Sequence, residues 1–122
     1  MIFDFLYKKK TYKNVDINGL KETIAYLETN PTVECNPYPQ YDGRIYTVLN
    51  SLGFDDKLYS KVEKVKDKPV EAMSLDDLKV MYSFIQRGER FCDGAIKGYV
   101  EDGTLLNMAR REMKLLEDGN DL

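Results

Sequence analysis

The sequence contains no histidine and no tryptophan. Without imidazole it has no His-based catalytic triad, no histidine zinc ligand and no side chain whose unperturbed titration falls near neutrality. Cysteine is nearly as scarce. Cys35 and Cys92 lie far apart with no Cys-x-x-Cys pair, too few for the disulfide framework of a small secreted domain. Two reduced thiols in a cytoplasmic protein are expected, with Cys92 buried because it sits beside Phe91 in an apolar-periodic stretch. No apolar run approaches the roughly 20 residues that cross a bilayer, so no membrane span is expected. In Met1–Lys10 the apolar residues precede the lysines, the reverse of a secretory leader, and none is expected. Glycine-rich phosphate loops, the Walker pattern and calcium-loop spacing are missing as well, so no metal or cofactor is expected.

What remains is an ordinary globular composition in 122 residues, 43% hydrophobic and 32% charged, the size of one α-helical domain. The net charge is −3. It divides into +1 up to Pro69 and −4 from Val70 onward. Direct binding along nucleic acid, which needs phosphates neutralised by Lys and Arg, is therefore not expected. Lysines cluster at Lys8, Lys9, Lys10 and Lys13, and again at Lys61, Lys64, Lys66 and Lys68. A solvated face is the plain reading of both clusters, and contact with a phosphate or an acidic partner is the other.

Apolar residues recur at helical spacing nearly throughout. Asp16 caps a helix carrying Ile17, Leu20, Ile24 and Leu27, which Asn30-Pro31 stops. Three prolines keep Pro31–Asp42 out of a helix interior, leaving a loop with Tyr38 and Tyr41. Ile45, Val48, Leu49 and Leu52 mark the next helix, and Leu58, Val62 and Val65 a short lysine-rich one. Ser74 with Asp76 and Asp77 opens a helix with stripe Leu75, Leu78, Met81, Tyr82 and Ile85. That pattern runs on through Phe91, Ala95, Ile96, Tyr99 and Val100, with a kink at Gly88. Leu105, Leu106, Ala109, Met113 and Leu116 form the last helix before a flexible tail over 117–122. A helix is also expected over Met1–Tyr7. The expected fold is all-α, one domain of five or six helices.

The densest polar cluster is Arg87-Gly88-Glu89-Arg90-Phe91-Cys92-Asp93-Gly94. On a helix, Arg87, Arg90 and Asp93 share a face, where two guanidinium groups could hold a phosphate or a partner carboxylate. The competing reading is an internal salt-bridge network. Gly94 and Gly98, four apart, would let another helix or a ligand approach closely, close helix packing being the plain reading. Tyr38 and Tyr41, on a proline-restricted loop, could anchor a partner or pack the loop down.

The run from Arg87 to Gly94, followed by Ile96, then by Gly103 and a Leu-rich helix ending in Arg110-Arg111, resembles the bacterial family DUF6508, a family of unknown function. Pro37-Tyr38-Pro39-x-Tyr41 and the stretch Ile45 to Phe54 resemble it too, so the likeness covers Pro37 to Leu116. Members typically carry histidine where this chain has Ala95. The resemblance implies weight on Arg87, Arg90 and Asp93 but no activity.

The leading expectation is a small cytoplasmic, non-enzymatic module that binds a protein. Short proteins of this kind are common in phages and mobile elements, and inhibition of a host defence complex is the corresponding role. An acidic half suits competition for a basic channel. The alternative is binding or hydrolysis of a phosphorylated small molecule by an Arg87–Arg90–Asp93 cluster, with Glu89 or Asp93 orienting it. The candidate binding residues are Arg87, Glu89, Arg90, Asp93, Tyr38 and Tyr41.

Overall fold

The computed structural model describes residue 12 and residues 14–119, and within these the chain is all-α apart from one small hairpin. The helix expected over Met1–Tyr7 and the first lysine cluster lie outside the described residues. Helix α1 is Ile17–Leu27, α2 Gly43–Leu49, α3 Leu75–Glu89, α4 Ala95–Glu101 and α5 Thr104–Gly119. The two-residue strands β1 (Glu34–Cys35) and β2 (Pro39–Gln40) pair antiparallel, with Glu34 opposite Gln40. Two 3₁₀ segments, Asp56–Lys64 and Val70–Ala72, connect α2 to α3.

The helix starts follow the sequence signals. Asp16 accepts a hydrogen bond from Gly19 N at 2.9 Å, and Asp42 accepts one from Arg44 N at 2.9 Å. Ser74 and Asp77 close a capping box, each side chain accepting from the other's backbone N–H at 3.1 Å. These caps satisfy donors that the first turn of a helix leaves free.

The core gathers Leu20 from α1, Ile45, Val48 and Leu49 from α2, Leu78, Tyr82 and Ile85 from α3, Ile96 from α4, and Leu105 and Met108 from α5. Each such side chain taken from water contributes roughly 1.5–3 kcal/mol. Helix α1 lies against α2 and α5, while α3 packs on the longer 3₁₀ segment and on α4. Thr23 ties α1 to α2, its hydroxyl lying 3.0 Å from Gly19 O and 3.1 Å from Arg44 O.

Several local expectations change. The stretch Asp56–Lys64 is 3₁₀ rather than α-helical. The expected long helix through Gly88 is instead two helices, α3 and α4, separated by residues 90–94. Helix α5 continues through Gly119, so Glu117 and Asp118 are helical rather than part of a tail. Its buried stripe is Leu105, Met108, Ala109 and Glu112, rotated from the one expected. Glu112 is fully buried among apolar side chains. Its carboxyl accepts from Tyr82 OH at 2.8 Å and lies 2.7 Å from Ser51 Oγ. Burial pushes this carboxyl up to about 7.

Candidate functional site

The break after α3 determines what the densest polar cluster becomes. Glu89, the last residue of α3, turns its carboxylate onto the start of α4. It accepts from Gly94 N at 2.9 Å, from Ile96 N at 2.8 Å and from Tyr41 OH at 2.8 Å. Tyr41 OH in turn accepts from Lys97 N at 3.1 Å. Four otherwise free donors are thus satisfied by one carboxylate and one phenol. Burial, then the bond to Glu89, raises the Tyr41 hydroxyl well above the usual phenol range. Gly94 takes φ +95°, a left-handed conformation that suits glycine and lets the chain re-enter a helix there. A Cβ at Gly98 would meet nothing within 4 Å, so the expected close helix packing at this glycine is absent.

Arg87 and Arg90 remain together, though Arg90 now lies one residue past α3. Both reach Asp56, at the start of the longer 3₁₀ segment. Arg87 Nη1 donates to Asp56 Oδ2 at 2.7 Å, and Arg90 Nη1 lies 3.5 Å from Oδ1. The hydrogen bond from Arg87 holds the Asp56 carboxyl below the usual carboxylate range. Asp55 N donates to the buried Ser83 Oγ at 3.1 Å and so fixes this segment on α3. Part of the internal-network reading therefore holds, but the carboxylate is Asp56 rather than Asp93. Asp93 is exposed and forms no ion pair among the described residues, and Lys97, four residues further on, bonds Glu101 at 2.6 Å.

The arginines also stack on aromatic rings. The Arg87 guanidinium carbon lies 4.1 Å from the Tyr59 ring centroid and 5.2 Å from that of Phe91. Arg90 lies 5.5 Å from the Phe54 ring. Phe91 is 74% exposed and Tyr59 47% exposed, among the few large apolar side chains turned to solvent. Cys92 is exposed beside Phe91, contrary to the buried position expected. Sequence reasoning assigned Phe91 to the core because its spacing continues the α3 stripe; the helix ends two residues earlier and turns the ring outward. Tyr59 and Asp56 were missed, although their three-residue spacing is that of a 3₁₀ turn.

Tyr38 and Tyr41 separate. Tyr38 is 64% exposed on the hairpin turn, where Asn36-Pro37 is a cis peptide, while Tyr41 is half-buried in the Glu89 network. Of the six candidate residues, the structure unites Arg87 with Arg90 and Glu89 with Tyr41, and leaves Asp93 and Tyr38 outside both groups.

Among the described residues, no three His, Cys, Asp or Glu side chains are placed to hold a metal ion, and no helix is long and apolar enough to cross a membrane. Neither the curated proteins nor the solved structures include a match to this chain. The likeness read over Pro37 to Leu116 is widened by a family model that matches residues 19–118 and so takes in most of α1. The residues that form the Arg87–Asp56 and Glu89–Tyr41 groups all fall inside that match, and the chain belongs to DUF6508, a family of unknown function.

Proposed function

We propose that this chain is a non-enzymatic interaction module of the cytoplasm that binds a protein partner through the face formed by Phe91, Arg87, Tyr59, Arg90 and Phe54. One observation carries the reading: a guanidinium is held between two exposed aromatic rings by a hydrogen bond to Asp56. Leaving Phe91 in water forgoes the stabilisation its burial would give. A partner that covered the ring would recover it. Tyrosine and arginine are the residue types that dominate interface energetics, and here they are ordered before binding, which lowers the entropic cost. Two arginines share one carboxylate, so the face keeps a positive charge and suits a partner bearing carboxylates.

The finer role is an accessory protein of a phage or mobile element that inhibits a host defence complex. Its support is the small size of the chain. The phosphate-clamp alternative at Arg87 and Arg90 is weakened, because Asp56 hydrogen-bonds Arg87 and offsets one of the two charges.

The test is affinity capture from a bacterial lysate with the unmodified chain and with Phe91→Ala plus Tyr59→Ala, alongside melting of both preparations. The expected result is a stoichiometric partner whose binding weakens by more than about 2 kcal/mol in the variant, the hot-spot scale, with little change in melting. No stoichiometric partner for the unmodified chain, or equal capture by both, would overturn the proposal.

A further inference from the structure

The second lysine cluster has a geometry that the protein-binding face does not use. A 3₁₀ helix has three residues per turn, so every third side chain falls on one stripe. In Asp56–Lys64 and the residue before it, this period sorts the sequence into faces. Asp56 and Tyr59 meet Arg87, and Val62 is buried. Lys57, Ser60 and Glu63 are exposed, and Lys66 continues that stripe with an ion pair to Glu63 at 3.0 Å. Asp55, Leu58, Lys61 and Lys64 line a cleft of about 490 Å³ closed on its other side by α3.

Lys68 and Lys79 also line this cleft, so four lysines face it from three places in the chain. Three aspartates share the lining, and each has a donor of its own. Asp77 accepts from Lys68 Nζ at 2.9 Å, Asp76 accepts from Tyr12 OH, and Asp55 accepts from Lys57 N at 3.0 Å. Lys61, Lys64 and Lys79 have no ion pair among the described residues. Leu58, Val65 and Val80 give the cleft an apolar floor. Four lysines and three aspartates leave the lining a net charge of +1, and three of its ammonium groups, not ion-paired among the described residues, sit above an apolar floor that an anion with an apolar portion would complement.

We infer that this cleft binds a small molecule carrying a phosphoryl group, with Lys61, Lys64 and Lys79 on the phosphoryl oxygens and the apolar floor under the rest of the ligand. The volume falls within the range of small-molecule pockets. The aspartates around the lysines confine the positive charge to one small area, so a compact ligand is favoured over the long run of phosphates in a nucleic-acid strand.

The experiment is calorimetric titration of the full chain with pyrophosphate, adenosine triphosphate and a short single-stranded DNA. The same titrations are run on Lys64→Gln plus Lys79→Gln, and on Lys66→Gln as a single-charge control away from the cleft. The expected result is saturable binding with a Kd below about 1 mM, tighter for the nucleotide than for pyrophosphate. It should weaken at least about tenfold in the double variant and stay unchanged in Lys66→Gln, as phosphate contacts by these lysines require. No saturation with either phosphate compound, equal loss in Lys66→Gln, or tighter binding of DNA than of both small molecules would overturn the inference. Circular dichroism of each variant shows that a loss reflects the site and not the fold.

Discussion

The most quantitative expectation concerns Glu112, a carboxyl buried between α3 and the end of α2. Its ordinary value is 4.5 and burial raises it to about 7. Hydrogen-bond accounting points the same way. Ser51 has one hydroxyl proton, yet its oxygen lies 2.8 Å from Val48 O and 2.7 Å from Glu112 Oε2. A neutral Glu112 supplies the missing proton: it donates to Ser51, Ser51 donates to Val48 O, and Tyr82 OH donates to the other carboxyl oxygen. Below about pH 4.5 both the folded and the unfolded chain hold this proton, and Glu112 adds no pH dependence. Between 4.5 and about 7 the folded chain keeps it while the unfolded chain has lost it. The unfolded state then binds fewer protons, so stability falls as pH rises, and above about 7 the loss is complete. The displacement from 4.5 to about 7, at about 1.4 kcal/mol per pH unit, amounts to roughly 3 kcal/mol. Glu112→Gln has nearly the same shape and no charge, and it can accept from Tyr82 while donating to Ser51. Denaturant unfolding of both chains at pH 5 and pH 8 isolates the effect, because every other titrating group cancels in the difference. The variant should lie within about 1 kcal/mol of the parent at pH 5 and exceed it by roughly 3 kcal/mol at pH 8, a melting increase of about 10 °C. A difference between the two chains that stays the same at both pH values would refute the argument.

Three further outcomes follow from the same contacts. Glu89→Ala strips the acceptor from two backbone donors at the start of α4 and from Tyr41, and should cost about 2 kcal/mol or more in denaturant unfolding. Arg87→Ala should cost about 1–2 kcal/mol, because it removes a hydrogen bond to Asp56 and stacking on Tyr59. Arg90→Ala, at a longer and more exposed ion pair, should cost less than about 1 kcal/mol. Equal losses at the two arginines in the same assay would show that the Asp56 bond does not hold Arg87. Tyr38→Ala should leave the melting temperature nearly unchanged, whereas Tyr41→Phe should cost about 1 kcal/mol through loss of its bridge from Glu89 to Lys97 N. The reverse order would make the hairpin turn, and not the Glu89 network, the structural contact.

What the sequence determined by itself is the helical character and most helix starts. Apolar period and capping chemistry act within a few residues, so Asp16, Asp42 and Ser74–Asp77 could be read where they stand. The pairing of Arg87 with Arg90 was legible for the same reason, being a spacing of three. Their carboxylate was not, because Asp56 is thirty-one residues from Arg87 and only the packing of the 3₁₀ segment on α3 brings them together. The spacing of Leu58, Val62 and Val65 suits an α-helix; that Asp56–Lys64 adopts the 3₁₀ period was decided by tertiary structure, and with it which lysines face the cleft. Hydropathy misplaced two side chains in opposite directions. Phe91 continues an apolar stripe but is exposed, because Glu89 gathers the N–H groups of Gly94 and Ile96 and so stabilises a break in the helix. Glu112 is charged in composition but buried, because Leu105, Met108 and Ala109 set a stripe whose next position is 112, and Tyr82 and Ser51 offer it hydroxyls from other elements. Local sequence sets which residues can share a face. Which faces meet, and which polar groups find partners there, depends on contacts between segments far apart in the chain.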